Sequence, residues 1–182
     1  MAAARLRSHC LVPSLIHGIA LIRVVVGLLL MGHGAQKLFG WFGGYGIAGT
    51  AGFFEQLGFR PGRLFVVTAS LTEVLSGLLI ALGLVGPVGP ALLLSVMIVA
   101  AVGVHWRHGP FAATNGIEVP LLYATGAVTL ALIGPGPFSL DAVLGIDHTW
   151  TPALKLTAFA VGLVGGVVNL LARRSATVTA AA

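Results

Sequence analysis

In a chain of 182 residues, 57% are hydrophobic and only 8% are charged, against about a quarter charged in a soluble domain. With mean hydropathy +1.02, water is the wrong solvent for most of this surface, and the length leaves room for one membrane bundle and no separate soluble domain. A net charge of +5 does not point to nucleic acid, because the basic residues are scattered among loops and helix ends without aromatic interleaving. Cys10 is the only cysteine, which excludes an internal disulfide, a thiolate zinc site or an iron–sulfur cluster within one chain.

The first apolar stretch runs over about 15–39, after an N-terminal tail at 1–14. Its basic start resembles a signal peptide, yet no small-x-small site follows and Arg23 interrupts the apolar run, so a retained helix is expected. Four more stretches follow, at about 64–85, 89–106, 117–133 and 153–172, each bounded by Gly, Pro or charged residues. The short segment 47–59, with Phe53, Phe54, Leu57 and Phe59 around Glu55 and Gln56, fits a helix lying in the interface. Residues 138–150 read as a surface loop, and 173–182 as a disordered tail. The expected fold class is therefore all-α: a polytopic bundle of four core transmembrane helices plus a fifth, C-terminal one, forming a single domain over 15–172.

With five crossings the chain ends fall on opposite sides. The end of the bundle holding Lys37, Arg60, Arg63, Arg107, Arg173 and Arg174 carries more basic residues than the end holding Arg5, Arg7 and Lys155. The positive-inside rule then makes the C-terminus cytoplasmic. Gly44-x-Gly46-x-x-Gly49 spells a dinucleotide-binding fingerprint, but it follows an apolar helix rather than a strand, so it reads as a turn.

Ionisable groups inside a span cost about 2.5–3.5 kcal/mol each on insertion scales and usually carry function. At 100° per residue, Arg23, Gly27, His33, Gly34 and Lys37 share an arc of about 120° on the first helix, with Gln36 pointing elsewhere. His33, Lys37, Glu73, His105 and Glu118, from four helices, fall in one half of the membrane, and Arg23 and Glu73 are placed to pair near the midplane. Two chemistries fit these residues. In one, His33, Lys37 and Glu73 bound a cavity for a quinone head group, with Glu73 relaying protons. In the other, His33 and His105 ligate a b-type haem or another metal, which no H-x-x-x-H or E-x-x-H spacing supports, so no residue is assigned to a metal. Arg23–Glu73 as a structural ion pair and Lys37 as a snorkelling surface lysine are the bland readings.

The segments GHGAQKLFGWFGG, FFEQLGF, LTEVLSGLLIALGL and HWRHGPFAATNGIEVPLLYATGAVTLALIGPGPFSLD, in that order, resemble the DoxX family of small bacterial membrane proteins. The resemblance implies a bundle, commonly of four helices, associated with oxidoreductases. A related DoxD-type subunit belongs to a thiosulfate:quinone oxidoreductase, and some members are linked with sulfurtransferase or superoxide dismutase partners in thiol and oxidative stress defence. Positions matching the family pattern are Arg23, His33, Lys37, Glu73, His105, Glu118 and Asp141.

Together these point to a quinone-linked oxidoreductase subunit of the bacterial cytoplasmic membrane, with soluble redox enzymes as partners; an oligomer is compatible with it. Arg23 and Glu73 would shape and charge the cavity. His33 and Lys37 would contact the head group, with Glu73 and His33 doing the chemistry, and His105 and Glu118 would line the mouth. The rivals are a non-catalytic scaffold that recruits soluble enzymes through the loop at 107–118, and a small-solute transporter.

Overall fold

A computed structural model describes residues 2–174, with side chains from Pro13 onward. Seven α-helices follow in chain order: α1 (Ala2–Phe39), α2 (Gly46–Gln56), α3 (Gly62–Leu82), α4 (Val88–Ala100), α5 (Glu118–Ile133), α6 (Leu140–Val143) and α7 (Pro152–Leu171). Among the described residues there is no strand, so Gly44, Gly46 and Gly49 do not form a dinucleotide fold. The first helix is continuous from Ala2 rather than beginning near residue 15. The tail expected over 173–182 falls mostly at 175–182, outside the described residues.

Among the described residues, four segments are long and apolar enough to cross a membrane: Pro13–Phe39, Gly62–Leu82, Val88–His108 and Pro152–Leu171. The apolar helix α5 has 16 residues, below the usual span of about 20. Outward-facing Leu21, Leu28, Leu71, Leu132, Leu156 and Val161 leave a greasy exterior that only lipid accommodates at this density. The chain is a multi-pass membrane protein.

Helices α1, α3, α4 and α5 close a ring in which each packs on the next, and α7 lies against α4 from outside. The ring encloses Ile19, Leu30, Ile80, Leu93, Met97, Ala127 and Leu130. Small residues set how closely the helices approach. A Cβ at Gly27 would stand 2.5 Å from the Gly77 carbonyl oxygen and 2.8 Å from Ala81 Cβ, and one at Gly34 would stand 2.7 Å from the Ser70 carbonyl. Backbones that close leave no room for side chains, the usual device for packing helices in lipid. On the outer seam Gly162 and Gly166 of α7 meet the backbone of Ala91 and Ser95 in the same way.

This register fixes the depth of every polar group. Antiparallel α1 and α3 bring Gly27 opposite Gly77 and Gly34 opposite Ser70. Arg23 therefore faces the C-terminal end of α3, while Lys37 faces its N-terminal half. The two cations are separated by about 21 Å at 1.5 Å per residue, and the expected Arg23–Glu73 pair does not form.

Candidate functional site

At one end of the bundle, the Lys37 ammonium contacts both oxygens of Glu73, at 2.6 and 2.7 Å. Glu73 is 4% exposed, so an unpaired carboxylate there would carry the full desolvation penalty. Lys37 turns inward to it and does not snorkel outward. Its third N–H points toward the His33 carbonyl at 3.5 Å, too long for a good hydrogen bond. A ligand carbonyl at normal hydrogen-bond distance could displace that weak contact.

The pair forms one wall of a cavity of about 250 Å³. Thr68, Ala69 and Thr72 of α3 continue that wall, and Ser95, Val96, Val99 and Ala100 of α4 form the opposite one. Phe53 and Phe54 of α2, with Phe59 and Phe65, supply aromatic cover; the rings of Phe54, Phe59 and Phe65 stand in succession 5.7 and 5.2 Å apart. The short helix α2 thus closes the cavity, and Asn169 of α7 completes it. Two contacts pin α7 there: the Arg174 amide donates to the Gly58 carbonyl at 2.8 Å, and the Arg173 guanidinium lies 5.8 Å above the Phe59 ring.

His105 reaches the cavity from a turn of π-helix, Ala101–His105, inserted at the end of α4. Such bulges rotate the residues after them and recur at functional sites. The His105 Nδ1 lies 2.7 Å from the Asn115 carbonyl oxygen. A carbonyl can only accept, so Nδ1 carries the hydrogen and the neutral ring keeps its lone pair on Nε2.

The remaining candidates lie elsewhere. His33 is exposed on α1 and lines a separate groove. Its Nδ1 is 3.1 Å from Gln36 Oε1, and its ring meets Tyr123 of α5 edge-on with centroids 6.0 Å apart. Glu118 accepts from the Ala112 amide at 2.7 Å and so orders the loop between α4 and α5, where it is exposed and does not line the cavity. His33 and His105 line different hollows, so the two imidazoles are not brought together as an axial pair.

Arg23 belongs to the opposite end. It is 4% exposed and gives its guanidinium to backbone carbonyls: Ile80 at 3.1 Å, Ala81 at 3.0 Å, Phe138 at 3.1 Å, and Pro135. It ties the end of α3 to the loop after α5 and has no part in the cavity. Nearby Asp141, 0% exposed, accepts from the amides of Val85 and Gly86 at 2.8 and 2.7 Å and from Trp150 Nε1 at 2.7 Å. Gly83, in the left-handed region at φ 63°, lets the turn pass beneath Arg23, where a Cβ would meet the guanidinium carbon at 2.5 Å. This end is architectural.

The sequence reading missed Thr68, Thr72, Ser95 and Asn169 as cavity residues. Asn169, an amide inside an apolar span, carried a signal; the hydroxyls did not, since Thr72 satisfies itself on the Thr68 carbonyl at 2.8 Å as helix hydroxyls commonly do.

Neither the curated proteins nor the solved structures contain a match to the chain. The family model DoxX matches residues 18–106, which spans both partners of the Lys37–Glu73 pair and ends just past His105. The chain thus carries a DoxX domain over these residues, and DoxX is a membrane family often linked to oxidoreductase-associated functions.

Proposed function

We propose that this protein is the membrane subunit of an oxidoreductase system and takes a quinone head group into the cavity beside Lys37 and Glu73. The observation that carries this reading is an ion pair set into the wall of an otherwise aromatic and aliphatic cavity of about 250 Å³. Small-molecule sites are concave and mostly apolar, with a few convergent polar groups, and the volume suits one substituted ring.

The donor set fits such a ring. A quinone would be held by the third N–H of Lys37, given up by the distant His33 carbonyl to one quinone carbonyl oxygen, and by the aromatic cover of Phe53 and Phe54. A bound quinone supplies a two-electron, two-proton acceptor. Around it, Glu73 can hold and pass a proton at its carboxylate, and the lone pair on His105 Nε2 can accept one. His105 therefore contacts a carbonyl as a donor only when protonated. Lys37, Glu73 and His105 are the residues assigned to the site; His33, Glu118 and Arg23 are not.

Basic residues support a cytoplasmic placement of this end in a bacterial cytoplasmic membrane. Lys37, Arg60, Arg63, Arg107, Arg173 and Arg174 gather there, whereas Lys155 lies at the other end, bonded to the Leu132 carbonyl at 3.3 Å. The loop between α4 and α5 favours a second reading. His105 and Glu118 order it from both sides, and it exposes Trp106 and Phe111 beside Arg107, a surface suited to a soluble sulfurtransferase- or superoxide dismutase-type partner.

The test is binding of a short-tailed quinone analogue to the full chain in nanodiscs. Glu73→Gln and His105→Phe should each weaken it about tenfold. Wild-type protein that binds no analogue would refute the quinone reading. Co-purification of a soluble enzyme that is lost on Trp106→Ser but kept in Glu73→Gln would favour the docking reading.

A further inference from the structure

His33 is an exposed imidazole on a membrane-spanning helix, six residues before the end of α1, or about 9 Å along the axis. Polar groups at that depth are costly against lipid, yet this one is deliberately oriented. Gln36 Nε2 donates to the Phe42 carbonyl at 3.2 Å, which leaves Gln36 Oε1 as the acceptor facing His33 Nδ1 at 3.1 Å. His33 Nδ1 must therefore carry the hydrogen, and the neutral ring presents the lone pair of Nε2. Among the described residues that nitrogen makes no hydrogen bond, and neither does the Tyr123 hydroxyl.

The carbonyl that starts this chain is held in an unusual backbone. Phe42 sits at φ 52° and ψ 37°, a left-handed conformation rare for a bulky residue and one that tends to persist where it serves a site. The groove beside His33 has a volume of about 480 Å³ and is walled by Leu28, Leu29, Trp41 and Phe42. Where the cavity combines an ammonium with the His105 lone pair, this groove offers an acceptor nitrogen and no ammonium, with two aromatic side chains and an aliphatic floor.

We propose that this groove binds the hydroxyl of an aromatic alcohol with an apolar tail, the chemistry of a hydroquinone, with His33 Nε2 accepting the O–H and Gln36 positioning the ring. This deepens the quinone reading by giving the reduced form its own lipid-facing site, and it rests on that reading for its biological source alone.

The probe is a 4-alkylphenol and its methyl ether, which keeps the shape and loses the donor, titrated against the full chain in nanodiscs. The phenol should bind about tenfold tighter than the ether, the worth of one hydrogen bond near 1 kcal/mol or slightly more. His33→Phe should erase that difference, and Gln36→Met should reduce it while His33 is still present. An equal affinity for phenol and ether in the wild type would overturn the proposal, as would a preference that survives His33→Phe. A preference lost on Glu73→Gln but kept in His33→Phe would place the hydroxyl in the cavity and equally overturn it. A monoacylglycerol that displaces the phenol as well as a short-tailed hydroquinone does would refute the aromatic specificity. Because none of these readouts needs the oxidised ring to bind, failure here is distinguishable from failure of the quinone reading.

Discussion

Lys37 and Glu73 meet across the α1–α3 seam with both carboxylate oxygens within 2.7 Å of one ammonium. Lys37 is 25% exposed at its side chain and Glu73 5%, so the two do not carry equal desolvation. Removing the lysine strands a buried anion; removing the acid leaves a cation that can reach toward the polar interface. Breaking a buried pair from one side costs about 3–5 kcal/mol when the remaining charge has nowhere to go. Lys37→Met should therefore destabilise the bundle by about 3 kcal/mol and Glu73→Gln by less. The double variant Lys37→Met/Glu73→Leu should recover part of the loss. Thermal unfolding in detergent, followed by helical circular dichroism, checks the order; equal losses for the two single variants would contradict it.

The α1–α3 seam makes a second prediction. A Cβ at Gly27 lies 2.8 Å from Ala81 Cβ and 2.5 Å from the Gly77 oxygen, whereas one at Gly18 or Gly32 meets nothing within 4 Å. Gly27→Val should force the helices apart, at a cost of about 1–3 kcal/mol, and by shifting α3 against α1 should also loosen Lys37 from Glu73. Gly32→Ala should be neutral or slightly stabilising, as alanine is the better helix former by about 1 kcal/mol. The same unfolding measurement on both variants decides this.

That seam also explains what the sequence could and could not reveal. Apolar length located the large helices to within a few residues because the bilayer sets that length, except at the start of α1, which runs on past the apolar stretch to Ala2. Helical phase put Arg23, Gly27, Gly34 and Lys37 on one side of α1, and the glycines do face α3. Depth failed where it was counted from guessed helix ends. Register between two helices is set by which small residues oppose each other, so Arg23 was matched with Glu73 when Lys37 was the true partner. His33 was drawn into the cavity by the same logic, although it stood at the edge of the arc; in the fold it turns to Tyr123 of α5. The aromatic cover from α2 was invisible because an interfacial helix shows its amphipathic face in sequence but not the hollow it closes.

At the opposite end, Asp141 gathers three donors, the amides of Val85 and Gly86 and the indole of Trp150. Asparagine keeps the shape but offers one acceptor oxygen, and its amide group faces N–H donors that it cannot satisfy. Hydrogen bonds to a charged group contribute roughly 1.5–3 kcal/mol each, and one or two would be lost. Asp141→Asn should destabilise by about 3 kcal/mol and free Trp150 to move toward the aqueous interface. Its emission should shift to the red, best read with Trp41 and Trp106 replaced by Phe. An unchanged spectrum would show that the indole is held by something other than this carboxylate.

Arg23 is held by backbone carbonyls, with the buried Asp141 carboxylate acting on it electrostatically and without a direct ion pair. Its guanidinium is shared among the carbonyls of Ile80 and Ala81 at the end of α3 and of Pro135 and Phe138 in the loop after α5, dipoles at a helix terminus and in a loop that lie outside the regular helical ladder. Five donors in a planar fork can reach carbonyls on two chain segments at once, which three donors on one ammonium nitrogen cannot. Arg23→Lys should therefore cost about 1–2 kcal/mol, as two of these bonds are lost. Arg23→Met should cost more, because several buried carbonyls are then left unpaired. Neither should change quinone-analogue affinity by more than about twofold, since the cavity lies some 20 Å away along α1 at 1.5 Å per residue. Unfolding and binding measured on the same preparations separate the two effects. A large loss of affinity with unchanged stability would mean that Arg23 acts on the cavity after all, and that the two ends of the bundle are coupled through α3.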